Sequence, residues 1–194
     1  MMYDFDEKYW TRRYEQGYTG WDIGYPSTPI VQYLDQIGDK DLSILIPGAG
    51  NAYEAAYAFA QGYKNTHILD ISEYPLTKFR ESYPDFPEGN ILHEDFFEHN
   101  GSYDLVLEQT FFCALSPDRR EEYCEKMKRL ISPNGRLVGV LFGIEFQREG
   151  PPFGGEIEEY KKLFSQHFII KKLEPCINSI PARKGTELFF ELAP

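Results

Sequence analysis

Short apolar blocks alternate along the chain with longer amphipathic stretches, and glycine or proline marks most of the breaks between them. The blocks at 42–46, 66–69, 91–92, 103–107 and 136–142 read as strands. Continuous runs of aliphatic side chains suit strands that are covered on both faces. Between the blocks, helical periodicity predicts crossover helices over 51–61, stopped by Gly62, and over 74–83, cut off at Pro84. Ser116-Pro117-Asp118 predicts another helix start, with Ser116 as N-cap and Pro117 in the first turn. That helix ends before Pro133-Asn134-Gly135, a turn that feeds the fifth strand. Two helices precede the first strand, one over 4–16 stopped by Gly17 and one running from Ser27-Thr28-Pro29 to near Gly38.

The last third of the chain has a different rhythm. A glycine and proline loop at 150–155 leads to a helix over 156–166, then to apolar stretches at 168–173 and 187–192 with no helix between them. Two strands joined without a crossover helix pair antiparallel, here at the edge of the sheet. The expected fold is therefore α/β and Rossmann-like: a seven-stranded, mostly parallel sheet with an antiparallel edge strand, helices on both faces and an N-terminal helical lid. We expect one domain over 1–194, with lid helices over 1–40 and the Rossmann-like core over 41–194.

Candidate chemistry sits where the first strand breaks. Ile44-Leu45-Ile46-Pro47 runs into Gly48-Ala49-Gly50-Asn51, and Asp70 closes the second strand twenty residues after Gly50. Glycines let a backbone approach a ligand closely, a helix start presents free N–H groups, and an acid at the next strand end accepts from ribose hydroxyls. A pyrophosphate-binding fingerprint requires a third glycine where this chain has Tyr53, followed by the acid Glu54. A singly charged sulfonium cofactor such as S-adenosylmethionine needs no phosphate cradle. The same residues also suit a tight strand-to-helix turn with Asp70 capping the next helix. A nicotinamide-dependent oxidoreductase and a non-catalytic binding protein are the alternative functions.

Charge narrows the partners. A net charge of −11 repels nucleic-acid phosphates, so a small-molecule substrate is expected. Cys113, Cys124 and Cys176 form no CxxC pair, and His67, His93, His99 and His167 show no metal-ligand spacing. No metal is expected. No apolar run approaches the roughly 20 residues of a membrane span, and the acidic start Met1-Met2-Tyr3-Asp4-Phe5-Asp6-Glu7 lacks signal-peptide character. The expected setting is cytoplasmic, and the expected state is a monomer.

Several motifs together resemble the thiopurine S-methyltransferase family of class I methyltransferases, on the branch that contains the plant halide/thiol methyltransferases. They are Tyr9-Trp10 through Arg13-Tyr14, Thr19-Gly20-Trp21-Asp22-Ile23-Gly24, Pro26-Ser27-Thr28-Pro29, Leu45-Ile46-Pro47-Gly48-Ala49-Gly50 and Leu69-Asp70-Ile71-Ser72. Further matches are Glu94-Asp95-Phe96-Phe97, Thr110-Phe111-Phe112-Cys113-Ala114-Leu115-Ser116-Pro117, Gly150-Pro151-Pro152-Phe153 and Ile180-Pro181-Ala182-Arg183-Lys184-Gly185. The resemblance covers nearly the whole chain.

It implies an S-adenosylmethionine pocket in which Trp10, Tyr14 and Trp21 close over the methionine end, where aromatic faces favour a sulfonium. Simple packing of lid helices onto the sheet is the alternative for these rings. Gly48 brings the backbone to the cofactor, Asp70 holds the ribose, Asp95 accepts from the adenine amino group, and Phe96 packs on the ring or supplies a backbone N–H. Gln109 belongs to the same set, although the halide/thiol branch carries an aromatic residue there. The acceptor pocket is expected from Phe111, Phe112, Phe153 and Arg183, with Arg183 alternatively in a solvated hairpin turn. Cys113 reads as a small buried hydrophobe, since no histidine accompanies it. No catalytic residue is assigned, because a thiolate, hydrosulfide or halide arrives already nucleophilic and alignment does the work.

Overall fold

A computed structural model describes residues 5–194. Seven strands form one sheet: β1 (Ile44–Pro47), β2 (Thr66–Asp70), β3 (Ile91–His93), β4 (Tyr103–Gln109), β5 (Ile131–Phe142), β6 (Ile169–Pro175) and β7 (Glu187–Ala193). Their order is β3-β2-β1-β4-β5-β7-β6. The first five pair in parallel, whereas β7 inserts antiparallel between β5 and β6. This agrees with the expected mostly parallel sheet with an antiparallel pair at its edge. Six α-helices accompany it: α1 (Glu7–Glu15), α2 (Thr28–Asp35), α3 (Tyr53–Ala60), α4 (Glu73–Ser82), α5 (Arg120–Leu130) and α6 (Ile157–Phe164). Asp4, the expected first residue of the first helix, lies outside the described residues; α1 is capped by Asp6, whose carboxylate accepts from the Tyr9 N–H.

Alternation along the strands splits the core into two layers. Ile44 and Ile46 of β1, Ile68 of β2 and Leu105 and Leu107 of β4 face α2, α3 and α4. Leu45, Leu69 and Val106 point the other way, toward Tyr123, Met127 and Leu130 of α5 and Tyr160 and Phe164 of α6. Since adjacent strand residues face opposite sides, runs with no polar positions are what a two-faced core requires. The sheet therefore sits between helical layers.

Pro133-Asn134-Gly135 is not a turn ahead of the fifth strand, as its composition suggested. Helix α5 passes straight into β5 at buried Ile131, and the three residues form an irregularity inside the strand. The register with β4 jumps from Tyr103–Ile131 to Leu105–Arg136 at that point. A bulge accommodates a proline that cannot donate to the ladder. Gly135 is required there, because a Cβ would lie 2.8 Å from the Tyr103 carbonyl oxygen. Helix α3 also starts later than its pattern suggested, at Tyr53, because Ala52 takes a left-handed conformation with φ 54° and extends the glycine turn.

Gly139 of β5 pairs with Glu108 of β4, and a Cβ added to it would sit 2.4 Å from the Glu108 carbonyl oxygen. Gly139→Ala is expected to cost about 2 kcal/mol of stability as overpacking. In a chain of this size that lowers Tm by roughly 4–8 °C. Thermal unfolding followed by circular dichroism checks this, and an unchanged Tm would show that the strands have room to part.

Candidate active site

The C-terminal ends of β1, β2 and β4 open into a cavity of about 960 Å³, roofed by α1 and the segment after it. Its floor is the turn after β1, where Gly48 and Gly50 have φ of 58° and 53°. Both glycines also answer to their neighbours. A Cβ on Gly48 would lie 2.2 Å from Cδ2 of Phe111, and one on Gly50 would lie 2.7 Å from the Tyr14 hydroxyl. Left-handed backbone and lack of space thus both demand glycine.

Asp70, at the end of β2, ties this floor together. One carboxylate oxygen accepts from the Gly50 N–H at 2.8 Å and the other from the Ser72 N–H at 2.8 Å. Burial pushes its carboxyl up to about 6, while the two backbone N–H groups and His93 pull the other way. Asp70 therefore does engage the N-cap residue of α4, as a purely structural turn would, yet it also lines the cavity.

The roof is aromatic. Trp10 and Tyr14 of α1 meet Trp21 edge-on at ring separations of 5.5 and 5.6 Å, and all three line the cavity. Burial, then the nearby Asp70 charge, raises the Tyr14 phenol above its ordinary range. Polar links fasten the roof to the floor. Asp22 accepts from the Asn51 amide at 2.5 Å, and the Thr11 and Ser72 hydroxyls lie 2.8 Å apart. Nothing in the sequence pattern joins Asp22 to Asn51, because the contact crosses from the roof to a different element.

Farther in, Asp95, Phe96, Gln109 and Phe111 line one side. Asp95 accepts from the Phe97 N–H at 2.8 Å, and Phe96 meets Phe111 edge-on at 5.0 Å. The Gln109 side-chain oxygen is buried without a partner among the described residues. Arg183 is not in a solvated turn: its side chain is 11% exposed and donates to the Trp21 carbonyl at 2.7 Å. It faces the cavity and binds the roof to the short 3-10 turn Pro181–Arg183.

Two expected pocket residues stand elsewhere. Phe112 is 1% exposed and packs into the core, with ring distances of 5.0 Å to Tyr123, 5.8 Å to Tyr160 and 5.9 Å to Phe164. The turn after β4 alternates its side chains, so Phe111 faces the cavity and Phe112 the core. The Phe153 ring packs on Phe5 at 5.7 Å outside the cavity wall, while its N–H donates to the Cys113 carbonyl. Pro151 and Pro152 of that loop line the cavity instead, as do Phe142 and Ile144 at the end of β5. The last two were open to discovery from sequence, since strand C-termini are where such sheets bind ligands. Cys113 lines the cavity with its thiol directed to the Thr110 carbonyl at 3.2 Å, and burial drives its pKa far up. Among the described residues, no group of three or more His, Cys, Asp or Glu side chains is placed to hold a metal, and no helix is long and apolar enough to cross a membrane.

Comparison with known proteins agrees with this geometry. The family model described as thiopurine S-methyltransferase matches residues 5–187. A probable thiol methyltransferase 2 from Arabidopsis thaliana is 32% identical over 160 residues, covering 79% of this chain and 70% of its own length. Thiocyanate methyltransferase 1 from Brassica oleracea is 32% identical over 189 residues, covering 94% and 83%. Among solved structures, the Burkholderia thailandensis 1,6-didemethyltoxoflavin-N1-methyltransferase with bound S-adenosylhomocysteine superposes with a TM-score of 0.80 at 18% identity, over 96% of this chain and 85% of its own, a likeness of fold. With a model match along almost its entire length and relatives of this similarity, the chain belongs to the thiopurine S-methyltransferase family and is an S-adenosylmethionine-dependent methyltransferase.

Proposed function

We propose that this methyltransferase acts on a small, soft nucleophile: a thiol, hydrosulfide, halide or thiopurine-like thiol. The observation that carries this reading is the composition of the cavity wall. It contains no histidine and no lysine among the described residues, and its one thiol is held neutral by burial. The buried acids of the wall, Asp70 and Glu54, are already engaged by backbone N–H groups, which favours an acceptor that arrives nucleophilic, as soft anions do. The relatives, a probable thiol methyltransferase and a thiocyanate methyltransferase, support the same class.

The residues present fit the cofactor. Gly48 lines the cavity without a side chain, Asp70 offers a buried carboxylate, and Gln109 offers an unused acceptor. When bound, S-adenosylmethionine supplies an electrophilic methyl group on a sulfonium. We assign Asp70 to the ribose hydroxyls, Asp95 to the adenine amino group and Phe96 to the adenine ring. Trp10, Tyr14 and Trp21 cover the methionine end and favour its positive charge, while the Gln109 oxygen accepts from its ammonium group. Phe111, Phe142 and Ile144 strip water from the incoming anion, and Arg183 adds positive charge to the wall. The work of the chain is alignment and desolvation. We place it in the cytoplasm as a monomer acting on small molecules and not on nucleic acid.

Asp70→Asn is expected to weaken cofactor binding by roughly 10–100-fold, the scale of losing hydrogen bonds to a charged acceptor. Titration calorimetry with S-adenosylhomocysteine checks it, and unchanged affinity would remove Asp70 from the ribose. Because the Asp70 carboxyl stands at about 6, it is ionised above that pH and neutral below it. Cofactor affinity is therefore expected to fall as pH drops through 6 in the natural chain and to change little in Asp70→Asn.

For the acceptor, transfer of a labelled methyl group to thiols, hydrosulfide, iodide, thiocyanate and a thiopurine is the direct assay. Turnover on at least one is expected. A chain that binds the cofactor yet methylates none of them would reject the proposed acceptor class.

A further inference from the structure

Among the described residues Glu108 is the most deeply buried acid, with 0% exposure, and the methyl-transfer chemistry above makes no use of it. It occupies the penultimate position of β4, one residue before the strand opens into the cavity. One carboxylate oxygen accepts from the backbone N–H of Phe111 at 2.7 Å and from that of Phe112 at 2.8 Å. The other oxygen is buried with no partner among the described residues. Between the strand and these two amides the chain must reverse sharply, and Thr110 does so at φ 62°, a conformation that disfavours β-branched residues. A strained threonine persists only where its surroundings hold it, and the double grip of Glu108 is what holds this one. The result is a turn whose side chains part in opposite directions, Phe111 to the cavity and Phe112 to the core. Phe111 is the ring against which Gly48 is fitted.

We propose that Glu108 is a positioning residue for methyl transfer, its carboxylate clamping the Phe111 and Phe112 amides so that the turn at 110–113 presents Phe111 as the wall of the acceptor end. This rests on the reading of that end as the site of a soft nucleophile. The hydrogen bonds that fix the turn after β1, by contrast, run to Asp70 and not to Glu108.

The clamp is also responsive to protons. Burial drives the Glu108 carboxyl up to about 7, the two amides pull it down, and Glu187 of β7 pushes it up further. The other titratable groups that sense it are Cys113 in the turn, Tyr123 of α5 and Tyr160 of α6, each raised first by burial and further by its charge. On β5, Gly139 stands directly against it. An ionised carboxylate accepts two N–H bonds more strongly than a neutral acid, so the clamp tightens as pH rises through 7 and slackens below it.

Two variants separate positioning from mere stability. Glu108→Gln keeps an oxygen able to accept both amides but cannot ionise; Glu108→Met keeps the bulk and loses the clamp. Amide hydrogen exchange, expressed as protection of Phe111 and Phe112, is measured between pH 6 and 8 beside S-adenosylhomocysteine affinity and steady-state kinetics at saturating cofactor. Iodide or thiocyanate serves as acceptor, since neither titrates in this range. Protection of the two amides in the natural chain is expected to fall below pH 7, to be independent of pH in Glu108→Gln, and to be lost in Glu108→Met. Acceptor KM is expected to rise about tenfold or more in Glu108→Met, with cofactor affinity within about threefold of the natural chain and Glu108→Gln close to it in both. Unchanged protection in Glu108→Met, protection in the natural chain that does not respond to pH, or equal losses in cofactor and acceptor binding would each overturn the proposal. If the natural chain binds cofactor but methylates neither anion, the acceptor reading is what fails, and the exchange measurement alone still decides the clamp. Should Glu108→Met not fold, the comparison of Glu108→Gln with the natural chain across pH carries the decision.

Discussion

A buried carboxylate accepting two backbone N–H groups shapes the cavity twice. At the end of β2, Asp70 draws the turn after β1 and the start of α4 onto one side chain. At the end of β4, Glu108 draws two successive amides of the following turn onto another. Parallel strands all end at the same edge of the sheet, so their last residues deliver chain into turns with unpaired N–H groups. Burying a carboxylate there is costly in isolation, yet the amides it binds would themselves be unsatisfied without it. Each acid therefore converts a weak point of the backbone into a fixed surface, and the ligand site is built on those surfaces.

The roof obeys different physics. Helix α1 has no buried residue, and it is held by half-buried aromatic rings and a few polar contacts such as Thr11 with Ser72. Each hydrogen bond of that kind contributes about 1 kcal/mol. Elements with few buried apolar contacts lie at the low end of local stability, and a site that must admit both a cofactor and an acceptor benefits from having its cover there. The floor is rigid because it is part of the sheet, and the roof is loosely fastened because it is not.

Between them the cavity is chemically mixed. Its wall sets the polar groups Asp70, Asp95 and the unused oxygen of Gln109 beside the apolar Phe111, Phe142 and Ile144. Such a mixture suits a reaction in which charge is neutralised as the methyl group moves, because an apolar wall destabilises the separated ions more than the product. Arg183 stands at the junction, spent partly on the Trp21 carbonyl and the Glu187 carboxylate. Its position couples the roof to the antiparallel end of the sheet.

The apolar blocks, the helix breaks and the run Gly48-Ala49-Gly50 with Asp70 were sufficient to read the strand order class, the parallel core and the floor of the site, because these depend on local propensity and on spacing along one chain. The aromatics of the roof were readable only through the family resemblance carried by the motifs around Trp10, Tyr14 and Trp21. What remained hidden was decided by neighbours distant in sequence. Phe111 and Phe112 are indistinguishable as letters, and only the strained turn at Thr110 sends one to the cavity and the other to the core. Pro133-Asn134-Gly135 has the composition of a turn, but the buried Ile131 ahead of it and the facing Tyr103 backbone make it a bulge. Asp22 meets Asn51, and Arg183 meets Trp21, only because the fold lays the roof over the strand ends. Sequence alone determined the order of strands and helices and the glycine turn at which the cavity opens; tertiary structure decided which side chains face that cavity, since orientation at a strand end depends on what the rest of the chain has already placed around it.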